Sequence, residues 1–311
     1  ITETAILNAM RTPTTINMNI VRAQQARQVL DLIVGYNVSP VLWKMVQYNK
    51  NNALSAGRCQ TPALQLVYDN FKEFEQCKGR KVYNTVGTFT SLFLPFTLNK
   101  EFESEEDAEY FLENDASHQH VFSRGDVKMN SKPPPTPFTT SRLQQVSPYS
   151  PIETMKLCQT LYERGLITYM RTDSNKYSAE FVESCRKYIV SQYGSETYVS
   201  SDFQMVGSEK TDVSAHEAIR CTDVYKTTGS VSASLQPKEQ KMYAIIWKNT
   251  VASLMSAATF SSFVSHISAF DSLFYKYTCE QPVFLGWTIV DPDKSDKSGK
   301  DDKSYSHLSM L

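Results

Sequence analysis

No stretch of the 311 residues is apolar for long enough to cross a membrane, and the formal net charge is only −1. Bulk electrostatics therefore offers no argument for a nucleic-acid partner. The first residues, ITETAILNAMRTP, lack a basic-then-apolar pattern, so no signal peptide is expected. Among the six cysteines (Cys59, Cys77, Cys158, Cys185, Cys221 and Cys279) there is no CxxC pair. That removes the usual zinc and redox-dithiol arrangements and leaves free thiols in a reducing compartment as the simplest reading. HQH at 118–120 has the look of a metal pair, but no further ligand stands at suitable spacing, and it reads as a loop. Internal repeats are absent.

What is present is ample material for more than one core. Hydrophobic residues make up 41% and charged residues 21%, ordinary for a globular protein, and 311 residues predict two or three domains, some of them discontinuous. Charge is uneven along the chain. Residues 1–60 carry six basic side chains (Arg11, Arg22, Arg27, Lys44, Lys50, Arg58) against two acidic ones (Glu3, Asp31). The surplus points to polyanion binding, although many solvated faces carry one like it. EFESEEDAEYFLEND at 101–115 reads as a helix with a solvated acidic face, its Phe102, Ala108, Phe111 and Leu112 turned inward.

Residues 20–37, IVRAQQARQVLDLIVGYN, set Val21, Val29, Leu30, Ile33 and Val34 on one side of a helix and Gln24, Arg27, Gln28 and Asp31 on the other. The i, i+4 spacing predicts an Arg27–Asp31 pair that fixes the arginine head on the helix surface. In LSAGRCQTPALQLVYDNFKEF, Gly57 permits a tight backbone before a second apolar helix. From 81 to 98 the period falls to two, with Val82, Val86, Leu92, Leu94, Phe96 and Leu98 on one parity, predicting strands. KPPPTPF at 132–138 can continue neither a helix nor a central strand and marks a boundary.

Beyond that boundary the pattern predicts a short helix near SRLQQV and a longer one from Ile152 to about Arg164, stopped by Gly165. A strand at Leu166–Tyr169 follows, then a helix capped by Ser178 and carrying Phe181, Val182, Cys185, Tyr188 and Ile189. Helix, turn, helix, strand is a winged-helix-like order. Residues 259–290 return to short β segments, and DPDKSDKSGKDDKS at 291–304 reads as a disordered charged linker.

Three short motifs carry chemistry. LITYMRTDS at 166–174 ends an apolar run in Tyr169, Arg171 and a Thr172-Asp173-Ser174 turn. A tyrosine hydroxyl, with an unperturbed pKa of about 10, is a poor nucleophile at neutral pH; an arginine two residues away points to a phosphate. Alone, a strand ending in tyrosine and a polar turn is commonplace. AHEAIR at 215–220 puts His216 and Arg220 one helical turn apart, able to face one phosphate, but an ordinary surface helix accounts for the pair equally well. LSAGRCQTP offers Ser55, Arg58 and Gln60 beside a glycine as phosphate contacts, or simply a loop leading into a helix.

In their fixed order, VRAQQARQVLDLIVGYNVSPVLWK, LSAGRCQTPALQLV, LITYMRTDS and SAHEAIR resemble the type IA DNA topoisomerases, and the bacterial topoisomerase I branch more than topoisomerase III. ITETAI, PPTPFTTSRLQQ and FLGWTIV extend the resemblance over nearly all of the chain up to the charged stretch. It implies an α+β, multidomain fragment of a toroid. Residues 1–70 would form a helical DNA-groove segment of the toroid base, 71–134 the first pass of a β-rich arch, 135–258 a helical winged-helix-like domain with the active-site tyrosine, and 259–311 the second pass of the arch with the charged linker.

In that family a tyrosine cleaves one DNA strand, becomes linked to its 5′ phosphate, and reseals the break after another strand has passed. By motif, Tyr169 is the nucleophile, Arg171 holds the scissile phosphate and His216 supports it by hydrogen bonding. Arg220 helps to hold its helix, and with Thr172, Asp173 and Ser174 is counted among the DNA-binding residues. Arg27, Asp31, Ser55, Arg58 and Gln60 resemble groove residues upstream of the cut, and Tyr36 corresponds to an aromatic of a base pocket. The resemblance implies Mg2+, with ligands in a Toprim domain that nothing in this sequence matches, and no ATP, because the phosphotyrosine bond conserves the energy of the phosphodiester. Its implied partners are DNA (single-stranded regions and negatively supercoiled duplex) and a Toprim domain in cis or in trans. A monomer, associated with DNA inside the cell and not with a membrane, is expected.

Where bacterial relatives usually read QQARR followed by DR, this chain has Gln28 and Leu32, which weakens the expected base preference. The alternatives are a non-catalytic single-stranded DNA-binding fragment and one subunit of a split topoisomerase. A tyrosine recombinase needs an Arg-His-Arg cluster and a relaxase a close histidine triad; the scattered histidines fit neither.

Overall fold

The computed structural model describes residues 3–46, 54–200, 216–291 and 298–311. Ser214 and Ala215 of SAHEAIR, and 292–297 of the charged stretch, lie outside them. No described helix is long and apolar enough to cross a membrane. The chain divides into two compact units, residues 1–81 and 82–311.

The first unit is helical: α1 (Glu3–Arg11), α2 (Met18–Met45) and α3 (Gln60–Gln76). Asn17 opens α2, its side-chain oxygen accepting from Asn19 N at 3.0 Å. The helix runs beyond the expected 20–37 and carries Pro40 within it. The apolar side of the helix is largely uncovered: Val29, Leu30 and Ile33 are each about half exposed, and Ser39 is the only residue of α2 that is buried. Leu32, Val38 and Val41 extend the exposed apolar surface around the helix, the mark of a helix made to be covered on several sides.

The second unit combines a sheet with a helical body. An antiparallel sheet is ordered β1-β2-β6-β5-β3, with β4 also pairing β5. Its strands are β1 (Tyr83–Phe89), β2 (Leu94–Phe102), β3 (Phe122–Arg124), β4 (Lys128–Lys132), β5 (Ala258–Ser268) and β6 (Phe274–Phe284). Phe89 faces Leu94 and Gly87 faces Phe96 across the turn, so odd positions of β1 share a face with even positions of β2. This corrects the single parity expected over 82–98: Leu94, Phe96 and Leu98 are buried, whereas Val86 points out at 55% exposure. The four-residue turn, with Thr90 and Phe93 at positive φ, resets the alternation.

Helix α4 (Glu105–Asp115) spends its acidic run at its own N-terminus, where Glu105, Glu106 and Asp107 meet the positive end of the helix dipole. Ala108 and Phe111 are buried as expected, Leu112 is not. His118 and His120 bond to Ser268, within the loop that HQH was read to be. The charged stretch is not wholly a linker: α10 spans Ser298–Met310, and Ser304 and Leu308 are buried, the leucine within the sheet's core.

Helices α5 (Thr140–Val146), α6 (Pro151–Glu163), α7 (Ala179–Tyr193), α8 (Thr228–Val231) and α9 (Pro237–Ala252) build the other body. Its core includes Leu143, Leu161, Ile167, Met170, Tyr177, Ile189, Ile219 and Ile246. Gly165, at φ +67°, ends the turn after α6, a conformation that an L side chain rarely adopts. Two expectations fail here. Leu166–Tyr169 is no strand but an extended segment with one bridge, Ile167 to Cys221, and His216–Cys221 is extended rather than helical. The two segments bond to each other, so neither needs a ladder or helix of its own.

Candidate active site

Tyr169 stands between two anchors, Ile167 at 1% and Met170 at 2% exposure. Fully burying side chains of this size is worth about 1.5–3 kcal/mol each, so the backbone on either side is pinned while the tyrosine ring stays half-buried. Thr168 ties this segment to HEAIR: its hydroxyl donates to Ala218 O at 2.8 Å and accepts from Arg220 N at 3.0 Å. The backbone bond from Thr168 N to Arg220 O, 2.9 Å, completes the pairing. It delivers His216, itself exposed, to the tyrosine, with ring centroids 5.6 Å apart and planes at 39°. Tyr162 of α6 packs edge-on from another direction, at 5.3 Å and 66°. Tyr162 was not singled out in the sequence; only its place in the last turn of α6 could have flagged it.

Arg220 does not share His216's solvent-facing position. Its side chain is buried, with Nε donating to Glu217 Oε2 at 2.6 Å, Nη1 to Cys221 O at 3.1 Å, and the guanidinium 3.9 Å from the centre of the Phe181 ring. Glu217 also accepts from Ser178 N at 3.2 Å, at the N-terminus of α7, where the Ser178 hydroxyl makes no capping bond. The expected cap is thus supplied by a carboxylate from another segment. Burial would raise the Glu217 carboxyl, but the Arg220 hydrogen bond and charge, helped by Ser178, outweigh it and hold the group below its ordinary value.

Arg171 is exposed, and among the described residues it has no ion-pair or hydrogen-bond partner. With Thr139, Thr140, Ser141, Gln144, Thr172 and Asp173 it lines a cleft of about 530 Å³. Its neighbours Met170 and Thr172 are both buried. Thr172 Oγ1 accepts from Ser174 N at 3.0 Å, and Ser174 Oγ from Lys176 N at 3.4 Å, so two hydroxyls of the Thr-Asp-Ser turn shape the loop while Asp173 stays exposed. The thiols of Cys158 and Cys221 are pushed up to about 12 by burial, which disfavours the thiolate.

The other motif residues belong to the first unit. The expected Arg27–Asp31 pair is not formed; Asp31 Oδ1 meets Arg58 Nε at 2.8 Å. The LSAGR loop folds back along α2 through Trp43 Nε1 to Leu54 O, 2.5 Å, and Ala56 N to Ser39 Oγ, 3.1 Å, which carries Arg58 to the carboxylate. Ser55 Oγ donates to Gln60 Oε1 at 3.1 Å. Arg27, with Gln24, Gln28, Asp31, Leu32 and Arg58, lines a cleft of about 600 Å³. Leu32, Tyr36 and Trp43 share the walls of a second, of about 610 Å³, with Ser55, Arg58 and Gln60. Trp43 and Ser39 went unnoticed in the sequence because their roles depend on where the loop returns.

Tyr169 thus stands beside the His216 ring, in a segment pinned by buried anchors that also presents Arg171 to solvent. A family model described as DNA topoisomerase matches residues 15–309, and the chain belongs to this family, the type IA topoisomerases. It is 37% identical over 307 residues to DNA topoisomerase 1 of Vibrio cholerae serotype O1, covering 93% of this chain and 34% of that protein. It is also similar to full-length topoisomerase I of Thermotoga maritima, with a TM-score of 0.74 and 33% identity over 93% of this chain and 48% of that one. The chain thus spans about a third of the one and about half of the other. Among the described residues no three His, Cys, Asp or Glu side chains converge on a position fit for a metal ion.

Proposed function

We propose that this chain is the tyrosine-bearing core of a type IA topoisomerase that relaxes negatively supercoiled DNA. The observation that carries the reading is the juxtaposition of Tyr169 with His216 on a loop that also presents Arg171. Tyr169 Oη attacks a phosphodiester; the bond from phosphorus to O3′ breaks as the bond to Oη forms, leaving a 5′-phosphotyrosine and a free 3′ hydroxyl. The phenol loses its proton and O3′ gains one. Arg171 holds the phosphate and offsets the charge of the five-coordinate transition state, and His216 hydrogen-bonds the same phosphate. Asp173 borders that phosphate site, while Thr172, Ser174 and Arg220 shape the loop and the extended segment behind it.

Arg27 and Arg58 hold the strand upstream of the cut, Asp31, Ser55 and Gln60 order the loop around Arg58, and Tyr36 meets a base. Magnesium and the handling of protons are assigned, by analogy with the family, to a Toprim domain in cis or in trans. The half-exposed apolar side chains of the first unit support a covering partner. A non-catalytic DNA-binding role leaves the Tyr169–His216 pairing without purpose.

The test is capture of a denaturant-stable adduct on single-stranded oligonucleotides, with the Toprim domain supplied. The expected adduct lies on the 5′ phosphate and vanishes in Tyr169→Phe; one that persists, or one on a 3′ phosphate, refutes the assignment.

A further inference from the structure

Arg171 is the one exposed residue in Met170–Thr172, and the cause is a single threonine on another element. Thr140, at the start of α5, accepts from Thr172 N at 2.9 Å, and its one hydroxyl proton faces Met170 O at 2.7 Å, the shorter contact, and Thr172 O at 3.0 Å. Its backbone N–H donates to Thr172 O at 2.9 Å. A hydroxyl has one proton and free lone pairs, so the donation to Met170 O and the acceptance from Thr172 N are compatible, and the backbone N–H meets the carbonyl of residue 172. The chain is thereby gripped immediately before and immediately after Arg171. Only the residue between is left to project, and it projects into the cleft that Thr140 itself helps to line.

We propose that Thr140 is a positioning residue for the cleavage step, setting the direction in which the Arg171 guanidinium meets the scissile phosphate. The inference rests on the proposed function above, since it assumes that Arg171 acts on a phosphate. A guanidinium at the end of a long side chain is free to turn, so fixing both flanking peptide groups is what removes the loop's share of that freedom. The hydroxyl is not needed for packing, because valine has the same shape.

The test measures single-turnover cleavage of a single strand by the Toprim-containing enzyme, for Thr140→Val, Thr140→Ser, Arg171→Ala and the Thr140→Val/Arg171→Ala double variant. Thr140→Val should cleave roughly 10- to 100-fold more slowly, the scale expected for a misplaced catalytic group, with strand affinity changed less than about threefold. Thr140→Ser, which keeps the hydroxyl, should restore the rate to within about threefold. On the Arg171→Ala background the valine should add less than about threefold, because the two act as one unit. Full additivity in the double variant, unimpaired cleavage by Thr140→Val, or failure of serine to rescue would each overturn the proposal. Tyr169→Phe separates the two readings: an adduct that depends on Tyr169 but not on Thr140 sinks this inference alone, and absence of a Tyr169-dependent adduct in the parent enzyme sinks both.

Discussion

Glu217 shows how a residue outside the reaction shapes the site. One carboxylate caps α7 through Ser178 N and neutralises buried Arg220, and the adjacent residue is the histidine that meets Tyr169. Its folded carboxyl is held below the ordinary value, so its contribution to stability is present above the ordinary glutamate range and is lost as pH falls through the lowered folded value. Glu217→Gln, which leaves the Arg220 charge unmatched, should cost about 1.5–3 kcal/mol near neutral pH, the range for a hydrogen bond to a charged group. Urea unfolding of both proteins across the acid range checks it: the deficit should shrink as the parent's carboxylate is protonated, and a deficit independent of pH would show that the charge is immaterial.

At the scale of elements, α2 and the loop before α3 act as one device. Arg58, not Arg27, is the cation held by Asp31, which leaves Arg27 on the cleft wall without that carboxylate. Removing either arginine should weaken single-strand binding and reduce the slope of log affinity against log salt by somewhat under one unit. Asp31→Asn should separate them. It frees Arg58 from its carboxylate and should raise affinity at low salt, while the Arg27→Ala effect stays unchanged on that background. Fluorescence titrations over a salt series measure this; a change in the Arg27→Ala effect would mean that Asp31 serves Arg27 after all.

Across the whole molecule the two units differ in kind. The second has buried cores under both its sheet and its helices. The first leaves Ile20, Val29, Leu30, Leu32 and Ile33 of its central helix about half exposed. Surface of that kind is stable when something covers it, and no metal cage exists among the described residues to complete the chemistry. The 311-residue chain should therefore bind single-stranded DNA yet fail to relax supercoils with magnesium, and gain that activity when a Toprim-bearing partner is added. An agarose-gel relaxation assay decides it; multiple turnover by the chain alone would require a metal site among residues not described here.

The helical periodicities before Gly165 and after Ser178 were legible in the sequence, whereas the single parity read over 82–98 broke at the turn. Also legible were Gly165 as a stop and the order of motifs that points to the family, because each depends on side chains a few positions apart along one chain. Tyr169 and Arg171 could be singled out for the same reason. What the tertiary structure decided were pairings between distant segments. Extended chain at 216–221 replaced the expected helix because Thr168 and Phe138 offered it bonding partners. Asp31 went to Arg58 because Trp43 and Ser39 hold the returning loop. Thr140 could not be tied to Arg171 from sequence, since a hydroxyl thirty positions away carries no periodic signal. A helical repeat is written in one segment's own pattern; a hydrogen bond between segments exists only once the fold has brought both partners to the same place.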